Sequence, residues 1–219
     1  MVLRKIFKHN ILPYIDVTEE YIDGKRYYVM PDGRKYPSVT TVLSKKIPKT
    51  GILEWRNRVG EEEADRILKQ SNKRGTAVHA IAEKYVLNED NHTKDQNILH
   101  IASFNELKRQ LDDHVDNILG VEMPLYSTYL NTAGRGDLFG VFDGTVSYID
   151  YKTARREKSE DFIESYFLQA TTYSLMFEWL YKIKVPQIVI MIAVDDAPAQ
   201  VFIKDRSKYI EKVIDIFRS

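Results

Sequence analysis

No cysteine occurs anywhere in the 219 residues. Disulfides, thiolate zinc sites and iron–sulfur clusters are therefore excluded, and nothing in the composition calls for an oxidising compartment. Long apolar runs are missing too: none approaches the roughly 20 residues that a membrane-spanning helix needs. Net charge is zero, with 32 basic residues against 32 acidic ones. A global positive field is thus absent, and any surface for nucleic acid has to be a local groove. No Gly-x-x-x-x-Gly-Lys-Ser/Thr phosphate loop is present, which argues against ATP as a partner. Repeats and low-complexity stretches are also absent. What remains is an ordinary globular composition, 43% hydrophobic and 29% charged, enough for a sizeable core in one domain.

The most informative stretch is Gly134 to Lys152. Two apolar-rich runs flank Asp143-Gly144, a strong signal for a two-residue hairpin turn. Pairing outward from that turn sets Phe142 against Thr145, Val141 against Val146, Phe139 against Tyr148 and Asp137 against Asp150. Lys152 shares the face of Asp150, because side chains alternate along a strand. Residues directly opposite have Cβ atoms about 4.5–5.5 Å apart, and like charges there repel. Two carboxylates so placed ask for a cation between them. The same residues would also suit the solvated ends of a surface hairpin, with Lys152 neutralising one acid.

Taken in order, residues 1–50 read as an N-terminal hairpin extension. It has a solvated basic terminus, a hairpin around Asp23-Gly24, a turn at Asp32-Gly33, and Ser38 or Thr40 as the cap of a short helix. Residues 51–120 read as a helical region. One helix runs from Ile52 to Lys69 with Trp55 as a core anchor, and a second opens at Gly75. Thr76, His79 and Glu83 lie on one face of that second helix, where His79 would equally suit a satisfied boundary position. Residues 88–97 are loop, and residues 98–119 are helical again. Residues 121–205 form a sheet and helix: a strand over 121–130, a turn at Asn131-Thr132, the hairpin, a helix from Ser159 to Lys182, and strands at 187–194 and 200–204. Within that helix Gln169 and Tyr173 are one turn apart. Residues 206–219 end in a helix. This order predicts a mixed α+β fold, a mixed central sheet flanked by helices, with the N-terminal hairpin and helices as an elaboration.

Four separated pieces carry a family resemblance: Gly75-Thr76-x-x-His79, Gly134-x-x-Asp137, Asp150-Tyr151-Lys152 and Gln169-x-x-x-Tyr173. As an ordered set they resemble the RecB-like branch of the PD-(D/E)XK nucleases, which implies a restriction-endonuclease-like core. Pro37-Ser38-Val39-Thr40, Glu122-Met123-Pro124-Leu125, Ile149 to Thr153, Phe162-Ile163-Glu164 and Leu168-Gln169 look like the mitochondrial genome maintenance exonuclease group and its phage and bacterial relatives. The similarity spans about residues 36–205 and leaves residues 1–35 unaccounted for.

The resemblance implies a stand-alone, divalent-metal-dependent DNA exonuclease acting in replication, repair or recombination. Asp137, Asp150, His79 and the Tyr151 carbonyl would hold Mg²⁺ or Mn²⁺. Lys152 would act beside the attacking water, in an electrostatic role, since a general base needs a strongly lowered pKa. Gln169 and Tyr173 would support Lys152 or the phosphate. Arg74, Thr76 and Arg135 are substrate candidates, the arginines because guanidinium forks match phosphate oxygens, although each would also suit a surface ion pair. Tyr126 and Tyr129 are candidates for stacking on bases. With Asn131-Thr132 as the turn, Tyr126 faces Asp137 and Glu122 lies too far along its strand to be a ligand. Neutral charge and the analogy both favour single-stranded DNA ends, with the helices of residues 52–87 covering the groove. The expected setting is cytoplasmic, in a bacterial or phage-infected cell, ahead of the mitochondrial matrix. Two other functions fit the same residues: a structure-specific endonuclease, and a catalytically silent nucleic-acid-binding scaffold.

Overall fold

The computed structural model describes residues 4–48 and 50–218. After β1 (Lys8–His9) come three short strands, β2 (Thr18–Ile22), β3 (Lys25–Val29) and β4 (Lys35–Pro37), which form a small sheet of their own. Helices α1 (Val39–Lys46), α2 (Thr50–Val59), α3 (Glu61–Val86) and α4 (Ile98–His114) follow. A meander of β5 (Val115–Ser127), β6 (Thr132–Phe142) and β7 (Thr145–Ala154) leads to α5 (Glu164–Tyr181). The chain ends with β8 (Gln187–Val194), β9 (Gln200–Asp205) and α6 (Ile210–Arg218). The main sheet has the order β1-β5-β6-β7-β8-β9. β1 runs parallel to β5 and β7 parallel to β8, while the other neighbours are antiparallel. The fold is mixed α+β, with a six-strand mixed sheet flanked by helices.

Side-chain alternation divides the apolar residues of the sheet between two cores. Phe139, Tyr148, Ile188, Ile190 and Ile192 pack with Phe167, Tyr173 and Phe177 of α5. Leu138, Ile149, Tyr151, Val189 and Met191 pack with Val78, Ile81 and Tyr85 of α3 and with Phe104 and Leu107 of α4. Phe139 and Phe177 stack at 4.1 Å between centroids, and burying each ring is worth about 1.5–3 kcal/mol. β8, covered on both faces, is apolar throughout after Gln187, as a buried strand in a parallel pair must be, whereas β7 keeps Ser147, Asp150 and Lys152 among its apolar residues.

Several boundaries depart from the sequence expectations. The helix expected over Ile52–Lys69 is broken at Gly60, whose φ of 88° is open to glycine and costly for other residues. Gly75 opens nothing: it lies inside the continuous α3. Trp55 is half-buried and belongs to neither core. The helix over 98–119 stops at His114, because Val115, Asn117 and Ile118 are taken up by β5. The expected turn at Asn131-Thr132 is a four-residue loop, 128–131, closed by the Ser127–Thr132 pair. Ser159 precedes a single 3₁₀ turn, Glu160–Ile163, without capping it through its side chain. The described part of the basic terminus, from Arg4 on, is anchored to the domain, although Lys8 and His9 remain exposed. Phe7 is buried in the α3–α4 core, and Lys8 and His9 pair with Asn117 and Ile118.

Candidate metal and nucleic-acid site

The hairpin register expected from Asp143-Gly144 holds through Leu138–Ile149 and stops one pair short of the acids. Beyond that point β6 and β7 part. The Asp137 carboxylate fills the gap, with Oδ2 accepting from the Tyr151 amide at 2.9 Å. On the other side, the flanking pairs Val121–Leu138 and Met123–Gly136 place Glu122 across from Asp137. Both strands turn over here. Val121 and Leu138 face the α3–α4 core, whereas Met123 and Leu125 face α5, and a Cβ on Gly136 would meet Phe139 and Tyr148 of that same α5 side. Residues two apart on a regular strand share a face, so the alternation is broken at Glu122 and at Asp137. Glu122 carries the inversion with a φ of 47°, a strained conformation for a residue with a Cβ. Tyr14 pins the neighbouring peptide, its hydroxyl accepting from Val121 N at 2.9 Å and donating to Val121 O at 2.5 Å.

Among the described residues, His79, Glu122 and Asp137 bring ligand atoms within 4.8 Å of one another. His79, from α3, sets Nδ1 3.5 Å from Asp137 Oδ2 and Nε2 2.8 Å from the Tyr151 carbonyl. A carbonyl only accepts, so Nε2 carries the hydrogen and Nδ1 faces the acids. Burial first of all, then the charges of Asp137 and Glu83, push Glu122 up to about 8. Glu83 itself is raised, mainly by desolvation. Carboxyl groups forced up in this way mark a place where negative charge is short of a counter-ion. Two carboxylates and an imidazole suit a hard divalent cation.

Asp150 and Lys152 stand beside this group on β7. Asp150 is fully buried, accepts from the Tyr148 hydroxyl at 3.1 Å through Oδ1, and is ion-paired with Lys152 through Oδ2. Desolvation raises the Asp150 carboxyl against the pull of Lys152. For Lys152, burial works to lower the amine, but Asp150 and Asp137 outweigh it, so its pKa lies above the ordinary value. The ammonium also sits 5.2 Å from the Tyr166 ring centroid. That favours a charged, electrostatic Lys152 over a general base.

The remaining expected residues separate into near and far. Tyr173 is buried against Tyr148, with centroids 5.3 Å apart, and its ring lies so close to Gly134 that an added Cβ would come within 2.6 Å of the hydroxyl. It reaches the acids through Tyr148. Gln169 is half-buried on α5. Arg135 donates from Nη1 to the Glu122 carbonyl at 3.2 Å. Thr76 is exposed one turn before His79. Arg74 is ion-paired with Asp195, Nη1 to Oδ1, at 2.5 Å. Tyr126 stacks on Tyr36 and pairs with Ala133, so it does not face Asp137, and Tyr129 is exposed with Arg218 over its ring. Glu122 is the residue misplaced by sequence reasoning. The longer loop slides β5 by four residues, an even number that retains the face while exchanging Tyr126 for Glu122 opposite Asp137. Tyr148 was also legible, two residues before Asp150 on the same face.

No family model matches the sequence, and no curated protein matches it. Among solved structures the chain is similar to the crystal structure of a putative exonuclease from Eubacterium rectale, at 12% identity and a TM-score of 0.47. The match covers 66% of this chain and 63% of that one, less than two-thirds of the neighbour's length. A likeness of that size does not bear on function.

Proposed function

We propose that the protein is a divalent-metal-dependent deoxyribonuclease of the RecB-like PD-(D/E)XK kind, an exonuclease acting on single-stranded DNA ends during replication, repair or recombination. The observation that carries this reading is the convergence of His79, Glu122 and Asp137 beside the buried Asp150–Lys152 pair. His79, Glu122 and Asp137 would hold Mg²⁺ or Mn²⁺, with Asp150 and the Tyr151 carbonyl adjoining them. When bound, such an ion polarises a phosphodiester and offsets the charge that builds on it.

The chain's own residues do the rest. Lys152, kept protonated by its two acidic neighbours, stabilises negative charge on the phosphoryl oxygens and orients the attacking water. Asp150 fixes the ammonium in place, and Tyr148 fixes Asp150. The Tyr166 ring of α5 lies 5.2 Å from the Lys152 ammonium and adds a cation–π contact to it. Arg135 lies against Glu122 and offers a fork to a neighbouring phosphate. The proposed setting is the cytoplasm of a bacterial or phage-infected cell. No helix among the described residues is long and apolar enough to cross a membrane.

The test uses end-labelled linear and closed circular single-stranded DNA with Mg²⁺ or Mn²⁺. Wild type is expected to shorten the linear strand from an end, leave circles intact and stop on addition of EDTA. Asp150→Ala is expected to bind DNA and leave it uncut. Cleaved circles would assign an endonuclease instead, and unchanged cleavage by Asp150→Ala would reject the site.

A further inference from the structure

Strands β2 and β3 of the small sheet lie in the part of the chain that the family resemblance leaves unexplained, and they bring charge to the edge of the acidic site. Glu19 pairs across the strands with Tyr28. Arg26 is two residues from Tyr28 on β3, so all three side chains share one face. That face meets Arg135 of β6. The Glu19 carboxylate is held between two guanidinium groups, 4.0 Å from Arg26 Nη1 and 3.9 Å from Arg135 Nε. Both distances exceed a hydrogen bond. One carboxylate therefore balances two cations without bonding closely to either. Arg135, two residues along β6 from Asp137 or about 6–7 Å of strand, in turn donates to the Glu122 carbonyl of β5. Such a span is comparable with one phosphate-to-phosphate step of an extended nucleic-acid strand.

Tyr28 completes the arrangement. Its ring lies 5.5 Å beneath the Arg26 guanidinium, and it is fully buried with a hydroxyl that meets no hydrogen-bond partner among the described residues. Burial first of all pushes that hydroxyl up to about 12, so it stays a donor. Two arginine forks, a phenolic floor and a loosely held carboxylate are the features of an oxyanion seat occupied by an internal anion.

We propose that Arg26 and Arg135 form a seat for a backbone phosphate next to the scissile one, and that Glu19 occupies it until a DNA strand displaces the carboxylate. The proposal rests on the nucleolytic reading above and adds to it a second phosphate contact and a built-in competitor. Any strand that enters the seat must displace Glu19, and a strand that also reaches the acids and their cation has more contacts to offset that cost, which favours strands already threaded into the site.

The experiment is fluorescence anisotropy of a labelled single-stranded oligodeoxynucleotide with a 5′-hydroxyl end, in EDTA so that nothing is cut, across a salt series. Arg26→Ala and Arg135→Ala are each expected to weaken binding about tenfold and to lower the slope of log K against log salt by about 0.7. Glu19→Gln keeps shape and removes charge, and it is expected to tighten binding several-fold. Arg26→Gln serves where Arg26→Ala lowers the melting temperature. Binding unchanged in the Arg26 variants, or weakened in Glu19→Gln, overturns the seat. An effect seen only with a 5′-phosphorylated strand overturns its assignment to a backbone phosphate. A wild type that cleaves with Mn²⁺ while all variants bind alike keeps the nucleolytic reading and removes the seat. A wild type that binds as predicted but never cleaves keeps the seat and removes that reading.

Discussion

Lys152 and Asp150 illustrate why a buried ion pair is costly to break. The acid is fully buried and the lysine largely so, and removing one partner strands the other in a poorly solvating interior. Lys152→Met is therefore expected to cost about 3 kcal/mol of stability in urea unfolding. Adding Asp150→Asn should return more than half of that, since an amide leaves no charge behind. A Lys152→Met protein as stable as wild type would contradict the pairing. Glu122 makes a different prediction, in pH. Its carboxyl is raised from 4.5 to about 8 in the folded protein. Between those values the folded state holds a proton that the unfolded state has lost, so stability falls as pH rises through the window and is fullest below it. In EDTA the melting temperature of wild type should drop from pH 5 to pH 8 more steeply than that of Glu122→Gln, and Mn²⁺ should offset the wild-type fall. Parallel curves for the two proteins would show that Glu122 is not under this strain.

At the scale of elements, two glycines of the helical region behave differently, and only Gly60 marks a helix boundary. Gly60 separates α2 from α3 with a positive φ, while Gly75 lies inside α3 with open space where a Cβ would go. Gly75→Ala is expected to add about 0.5–1 kcal/mol of stability. Gly60→Ala is expected to remove about 1–3 kcal/mol, the cost of an alanine at φ 88° and ψ 150°, a conformation essentially confined to glycine. Chemical denaturation distinguishes these signs, and a reversal would move the break to Gly75. The sequence is ambiguous here because a glycine looks the same to a periodicity argument whether it caps or is merely tolerated. The β6–β7 hairpin was far more legible. Asp143-Gly144 has a turn chemistry that fixes register, and the pairing it dictates is present to Leu138–Ile149. The β5–β6 loop had no such marker. Its left-handed position is Asn131, with φ 49°, and an Asn-Thr pair offers no reason to choose two residues over four. That error of loop length concealed Glu122.

Across the whole molecule, the fold class could be read from the order of helices and strands, because buried strands and amphipathic helices have different periods. The part played by the N-terminal segment could not. Phe7 in the α3–α4 core, Tyr14 on the Val121 peptide and Glu19 beside Arg135 are contacts between segments far apart in the sequence. Long-range contacts of that kind leave no local pattern. They make residues 4–37 part of the site's support as well as an elaboration. The face inversion at Glu122 and Asp137 was equally hidden, since it depends on two strands turning over together. It is also what opens the sheet enough for His79 from one layer to meet acids that border the other.

Whether that opening holds a cation decides the function of the site. A crystal soaked in Mn²⁺, measured for anomalous scattering, tests this directly. The prediction is a single strong peak within coordination distance of Asp137, Glu122 and His79, lost in Asp137→Asn. A crystal with saturating Mn²⁺ and no peak between those three side chains would contradict it.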